Sequence, residues 1–143
     1  MSDTAERERT LATRLRVAIV RLNRRLRTQT ESNVTLSQMS AMACLWRNGP
    51  LAPRELATKE GVQPPSMTRV IAALEDLGLV GRRQHPTDGR QAIVELTDSG
   101  RARMDQEVSV REQWLDLRLA ELTEQERTTL SDAARILDRM AQL

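Results

Sequence analysis

Two short helical segments bracketed by proline and glycine, followed at once by a polar hairpin, restrict the fold of this chain more than any other feature. Pro53 suits the first position of a short helix over 53–60, and Gly61 ends it. After Val62 and Gln63, Pro64 and Pro65 open a second helix expected to run to about Leu77. Its buried stripe is Met67, Val70, Ile71, Leu74 and Leu77, and Gly78 supplies the stop. Two short helices across a tight glycine-containing turn fit the helix-turn-helix pattern. Leu79–Gln84 and Gln91–Leu96 then read as strands flanking His85-Pro86-Thr87-Asp88-Gly89-Arg90, a polar turn with an Asp-Gly signal. Such a ribbon is marginal alone and holds only when packed on helices.

Helical periodicity governs both flanks. Leu11, Leu15, Ala18 and Leu22 recur at steps of four, three and four, with Ile19 and Leu26 beside them. Arg14, Arg21, Arg24, Arg25 and Arg27 largely cover the other side, and this first helix is expected to end between Gln29 and Asn33. Thr35-Leu36-Ser37-Gln38 reads as a capping box for a second helix reaching about Arg47. Met39, Met42, Ala43 and Trp46 are expected on one face of it, and Asn48-Gly49-Pro50 stops it. Thr97 can cap a fifth helix to about Leu122, along which Val108, Leu115 and Leu122 recur every seven residues. Thr123-Glu124-Gln125-Glu126 caps a last helix whose stripe is Leu130, Ala133, Ala134, Leu137, Met140 and Ala141.

A module over 35–96 can close its own small core, which leaves the first, fifth and sixth helices with unused apolar stripes. Burying one leucine is worth roughly 1.5 to 3 kcal/mol, so these helices either fold back on their own module or interlock with those of a second copy. The second is favoured, because a two-fold pairing lets one patch cover itself. The expected fold is mainly α with a small two-stranded β wing: a winged helix-turn-helix plus dimerisation helices. The expected organisation is an N-terminal dimerisation helix over 1–34, the winged module over 35–96 and C-terminal dimerisation helices over 97–143.

Composition removes several functional classes. The chain has 143 residues, with no run of the roughly 18 to 20 apolar residues a membrane helix needs. Residues 1–9 alternate acids and arginines without the apolar core of a signal peptide. The single Cys44 agrees with a reducing compartment; beside Leu45 and Trp46 it reads as a small buried hydrophobe. These features point to the cytoplasm. Net charge is +5 over residues 1–52, 0 over 53–96 and −3 over 97–143, so the chain is polarised along its length. Trp46 and Trp114 are the only aromatics, which argues against stacking on single-stranded nucleic acid. One histidine and one cysteine make no metal site. No phosphate loop and no Ser/His/acid set suggests an enzyme, and no cofactor is expected.

The remaining chemistry is that of a duplex DNA reader. Such modules lay the second helix in the major groove, with residues near its N-terminus on base edges. Here those are Pro65, Ser66, Thr68 and Arg69, off the buried stripe. Arg69 can bond a guanine bidentately or hold a phosphate. Arg82 and Arg83 stand at the base of the hairpin and Arg90 near its tip, with Asp88 close enough to hold the Arg90 guanidinium in one geometry. An arginine on a narrow ribbon suits a minor groove.

The runs Arg54-Glu55-Leu56-Ala57, Pro64-Pro65-Ser66-Met67-Thr68-Arg69-Val70 and Leu74-Glu75-Asp76-Leu77-Gly78-Leu79-Val80 resemble the signature of the MarR family. So do Pro86-Thr87-Asp88-Gly89-Arg90, Val94-Glu95-Leu96-Thr97 and Gly100. The resemblance implies a homodimer built on the first, fifth and sixth helices, binding a palindromic operator in double-stranded DNA, usually as a repressor. It implies recognition-helix contacts by Ser66, Thr68 and Arg69, and a wing arginine, Arg90, oriented by Asp88. It also implies release by a small lipophilic or phenolic effector. Met39, Met42 and Trp46 would wall that ligand site, although core packing explains them as well. One departure is Gln63, where the family often has a Ser or Thr cap; glutamine caps poorly. The alternative is a winged-helix protein-interaction module without specific DNA binding.

Overall fold

The computed structural model describes residues 2–30 and 33–142, with side chains from residue 10 onward. Among them the chain runs α1 (Ser2–Arg27), α2 (Leu36–Asn48), α3 (Pro53–Glu60), α4 (Pro64–Asp76), β1 (Val80–Gln84), β2 (Ala92–Leu96), α5 (Asp98–Ala120) and α6 (Glu124–Ala141). It forms two compact units, one of Glu31–Val108 and one of Met1–Thr30 with Ser109–Leu143.

The boundaries in the first of these units follow from local chemistry. Thr35 Oγ1 accepts the Gln38 N–H at 3.2 Å, and Gln38 Oε1 accepts the Thr35 N–H at 3.0 Å, the reciprocal bonds of a capping box. Glu55 reaches back to the Ala52 N–H at 3.2 Å to start α3. Gly61 ends α3 in the left-handed region at φ 63°, where a side chain would be strained. The core gathers Met39, Met42 and Leu45 of α2, Leu56 of α3, Met67, Ile71 and Leu74 of α4, Val80 and Val94 of the sheet, and Met104 of α5.

Two expected faces need correction. On α2, Ala41 and Cys44 are buried with Met42, whereas Trp46 is 38% exposed. The cause is that α2 packs on α3, α4 and β2 together, so the core wraps a wider arc than a single stripe. On α4, Leu77 is exposed. The helix closes there: Gly78 N–H bonds Glu75 O at 2.9 Å and Leu79 N–H bonds Leu74 O at 3.0 Å. In that closure the residue after the glycine returns to the core, so Leu79 is buried in place of Leu77.

The sheet is antiparallel, with Val80 opposite Leu96 and Gln84 opposite Ala92. Leu51 adds a third rung on the far edge of β2. Its N–H bonds Val94 O at 3.0 Å, and the Val94 N–H returns to Leu51 O at 2.8 Å. A one-residue bridge carries no alternation, so nothing in the sequence announced it. Thr97 locks the ribbon to the end of α4, its hydroxyl donating to Gly78 O at 2.6 Å and accepting the Gly100 N–H at 3.1 Å.

In the second unit, Thr28 and Gln29 side chains donate to Arg25 O at 2.8 and 2.9 Å and close α1. That is earlier than the expected end over 29–33, a stretch whose residues 31 and 32 lie outside the described residues. α5 also stops short of Leu122, because Arg127 donates to Leu122 O at 2.7 Å and Leu119 O at 3.3 Å and caps the helix from outside. Thr123 and Glu126 form the capping box of α6. No residue of α6 is buried, and Leu11, Ile19 and Leu22 of α1 and Leu130 and Met140 of α6 all remain exposed.

Candidate nucleic-acid interface

The start of α4 is built by two prolines rather than by a cap. Gln63 is extended, at φ −69° and ψ 143°, and its side chain makes no capping bond. Pro64 and Pro65 have no N–H, so two of the donors a helix start leaves orphaned are simply not there. Pro65, Ser66, Thr68 and Arg69 are all exposed, while Met67 between them is buried and fixes the rotation of the helix. Thr68 Oγ1 donates to Pro64 O at 3.0 Å, which leaves its lone pairs outward.

The wing is braced by its own arginines. Arg82 Nε donates to Glu75 Oε1 at 2.7 Å, joining β1 to the last turn of α4. Arg83 Nε donates to Glu95 Oε2 at 3.1 Å across the ribbon. Both pairs are largely exposed and add little to stability; their effect is to neutralise two cations. Arg69 and Arg90, by contrast, have no carboxylate partner among the described residues. The site thus separates braced arginines from arginines open to an anionic ligand.

Asp88 orients Arg90 differently from expectation. Its Oδ1 accepts the Arg90 backbone N–H at 3.1 Å, not the guanidinium, so it shapes the turn and leaves the cation free. His85, placed by the sequence only within the polar turn, also shapes the tip. Its ring Nδ1 accepts the backbone N–H groups of Thr87 and Asp88, each at 3.2 Å. The available signal was the His-Pro pair, since a residue before proline is held extended and can fold its side chain over the following turn.

Among the proposed ligand residues, Met39 and Met42 are packed in the core. Trp46 stands at the surface with its indole N–H on Asp105 Oδ1 at 3.0 Å. Burial pushes the Cys44 thiol up from its ordinary range, and the nearby Glu60 charge adds to that, which keeps it protonated. Among the described residues no helix is long and apolar enough to cross a membrane, and no three His, Cys, Asp or Glu side chains gather as metal ligands.

The MarR family model matches residues 34–92, which span α2 to the start of β2. The chain is 45% identical over 128 residues to the HTH-type transcriptional regulator MT0903.1 of Mycobacterium tuberculosis, covering 89% of this chain and 90% of that one. It is 29% identical over 117 residues to the HTH-type transcriptional repressor MdtR of Bacillus subtilis, covering 82% and 74%. In fold it is similar to a MarR family protein from Bacillus stearothermophilus, with a TM-score of 0.82, 24% identity and 95% and 98% of the two chains covered. With a helix-turn-helix in α3 and α4, a wing in β1 and β2 and a relative matched along nearly its whole length, the chain belongs to the MarR family of HTH-type transcriptional regulators.

Proposed function

We propose that this regulator is a homodimeric repressor that binds a palindromic operator, with α4 in the major groove and the wing over the minor groove. Pro65, Ser66, Thr68 and Arg69 would meet base edges and phosphates. Arg90 would form the wing contact, Asp88 would shape the turn that presents it, and Arg83, expected at the DNA, would brace the ribbon through Glu95. The observation that carries this reading is the partition of the arginines: Arg82 and Arg83 are held by Glu75 and Glu95, while Arg69 and Arg90 stay without a carboxylate partner. Similarity to the repressor MdtR supports the direction of regulation. The exposed apolar faces of α1 and α6 support the dimer, with residues 1–34 and 97–143 supplying the dimerisation helices around the 35–96 module.

A lipophilic or phenolic effector acting through α2 would have to displace Met39 and Met42 from packed positions. An effector acting there would release DNA by opening a core wall that methionine can re-form.

Selection of duplexes from a random pool, followed by titration at several salt concentrations, tests the reading. The expected outcome is an inverted repeat with half-sites about one helical turn apart and affinity that falls steeply with salt. No enriched sequence, with weak binding to every duplex, would favour a protein-interaction module.

A further inference from the structure

We propose that His85 is a positioning residue for DNA binding: its neutral imidazole folds the wing tip that presents Arg90, and protonation of that ring loosens the tip and weakens binding. The inference rests on the wing being a DNA contact.

The geometry assigns the ring's state. The Thr87 and Asp88 backbone N–H groups both point at Nδ1 at 3.2 Å, and Thr87 Oγ1 lies 3.1 Å from it. Backbone amides only donate, so Nδ1 keeps its lone pair and the ring proton sits on Nε2. A proton added at Nδ1 would turn this acceptor into a third donor facing two others. The consequence passes along the tip. Asp88, whose N–H is held by His85, accepts the Gln91 N–H on its own carbonyl at 3.1 Å. Its carboxylate accepts the Arg90 N–H at 3.1 Å. His85 and Asp88 side chains thus hold the amide groups of Thr87, Asp88 and Arg90, and the arginine hangs from the last of them.

The charged groups around the tip are Asp88 and Arg90 in the same turn and the Arg83–Glu95 pair on the ladder. Arg54 and Glu55 at the start of α3 line a cavity with Gln91 and Ala92 of the neighbouring strand. Of these side-chain types, imidazole is the one that changes charge between about pH 5 and 8. A histidine that served only as a cation for phosphate would strengthen binding on protonation; a turn-holding histidine weakens it. The sign separates the two roles.

The test compares the wild type with His85→Asn, whose amide oxygen can accept from the same two N–H groups without titrating, and with His85→Ala. At about pH 8 the wild type and His85→Asn should bind the selected duplex equally, and His85→Ala about tenfold more weakly, equivalent to about 1.4 kcal/mol. On acidification the wild type should fall towards His85→Ala while His85→Asn holds. Equal affinity of His85→Ala and wild type at the higher pH, or the same pH slope in wild type and His85→Asn, would overturn the proposal. Nitrogen NMR of the free protein keeps the turn and the DNA reading apart, because His85 is the only histidine. The expected spectrum has the proton on Nε2, with the Thr87 and Asp88 amides shifting as the ring titrates. The opposite tautomer sinks the inference whatever the DNA result. The expected spectrum in a protein that binds no duplex would instead sink the wing's reading as a DNA contact, and this proposal with it.

Discussion

Gln63 precedes the helix proposed to carry the base-reading side chains, and its side chain makes no capping bond. A serine hydroxyl there could accept the Ser66 N–H, the first backbone donor after the two prolines. Gln63→Ser should therefore raise stability by about 0.5–1 kcal/mol, read as a higher urea midpoint with unchanged slope; an unchanged midpoint would show that the prolines already hold the start. Gly100 sets a harder limit. A Cβ built on it would lie 2.0 Å from Leu79 O, because the first turn of α5 rests on that carbonyl. Gly100→Ala should cost about 2–3 kcal/mol, visible as a lowered thermal midpoint, and retention of full stability would mean α5 can shift away. At this scale the sequence was legible where the partner is three residues away, as at Thr35 and Thr123. It was silent where the partner is distant, as for Gly100 against Leu79.

If α4 reads bases and the wing holds phosphate, as proposed, Arg69 and Arg90 should fail differently. Arg90→Ala should weaken binding to every duplex and flatten the salt dependence by about 0.9 in log–log slope, the signature of one lost phosphate contact. Arg69→Ala should change sequence preference, at about 1–3 kcal/mol if it pairs with a guanine. Equal losses on all duplexes would make Arg69 a phosphate clamp instead. The elements themselves were readable, because α3 starts at Pro53 and ends before Gly61 for reasons carried by those residues. Leu51's bridge to Val94 was not readable, since it depends on which neighbour the chain meets after folding. The exposure of Leu77 and the backbone role of Asp88 rest on local closures, at Gly78 and at the Arg90 N–H, among several that the same residues allow.

For the whole molecule the decisive quantity is apolar surface left uncovered. Leu130 is 47% exposed and Met140 55%, and no residue of α6 is buried. A second copy would remove that surface from water. Leu130→Glu, present twice in a two-fold interface, should cost the dimer about 3 kcal/mol or more and give a monomer in light scattering at micromolar concentration. An unchanged dimer would place the interface elsewhere. The buried core cluster lies within Glu31–Val108, and that unit carries the whole candidate DNA site, so dimerisation would set the spacing of two such sites rather than build either.

By itself, the sequence determined the kind and order of the elements, their caps and stops, and the family. Those properties depend on contacts between residues close along the chain or on patterns that repeat locally. Only the tertiary structure decided which side of α2 is core, that Leu51 joins the sheet and which arginines are paired. These are choices among chemically equivalent partners, and only the packing of distant segments distinguishes one carboxylate, carbonyl or apolar face from another.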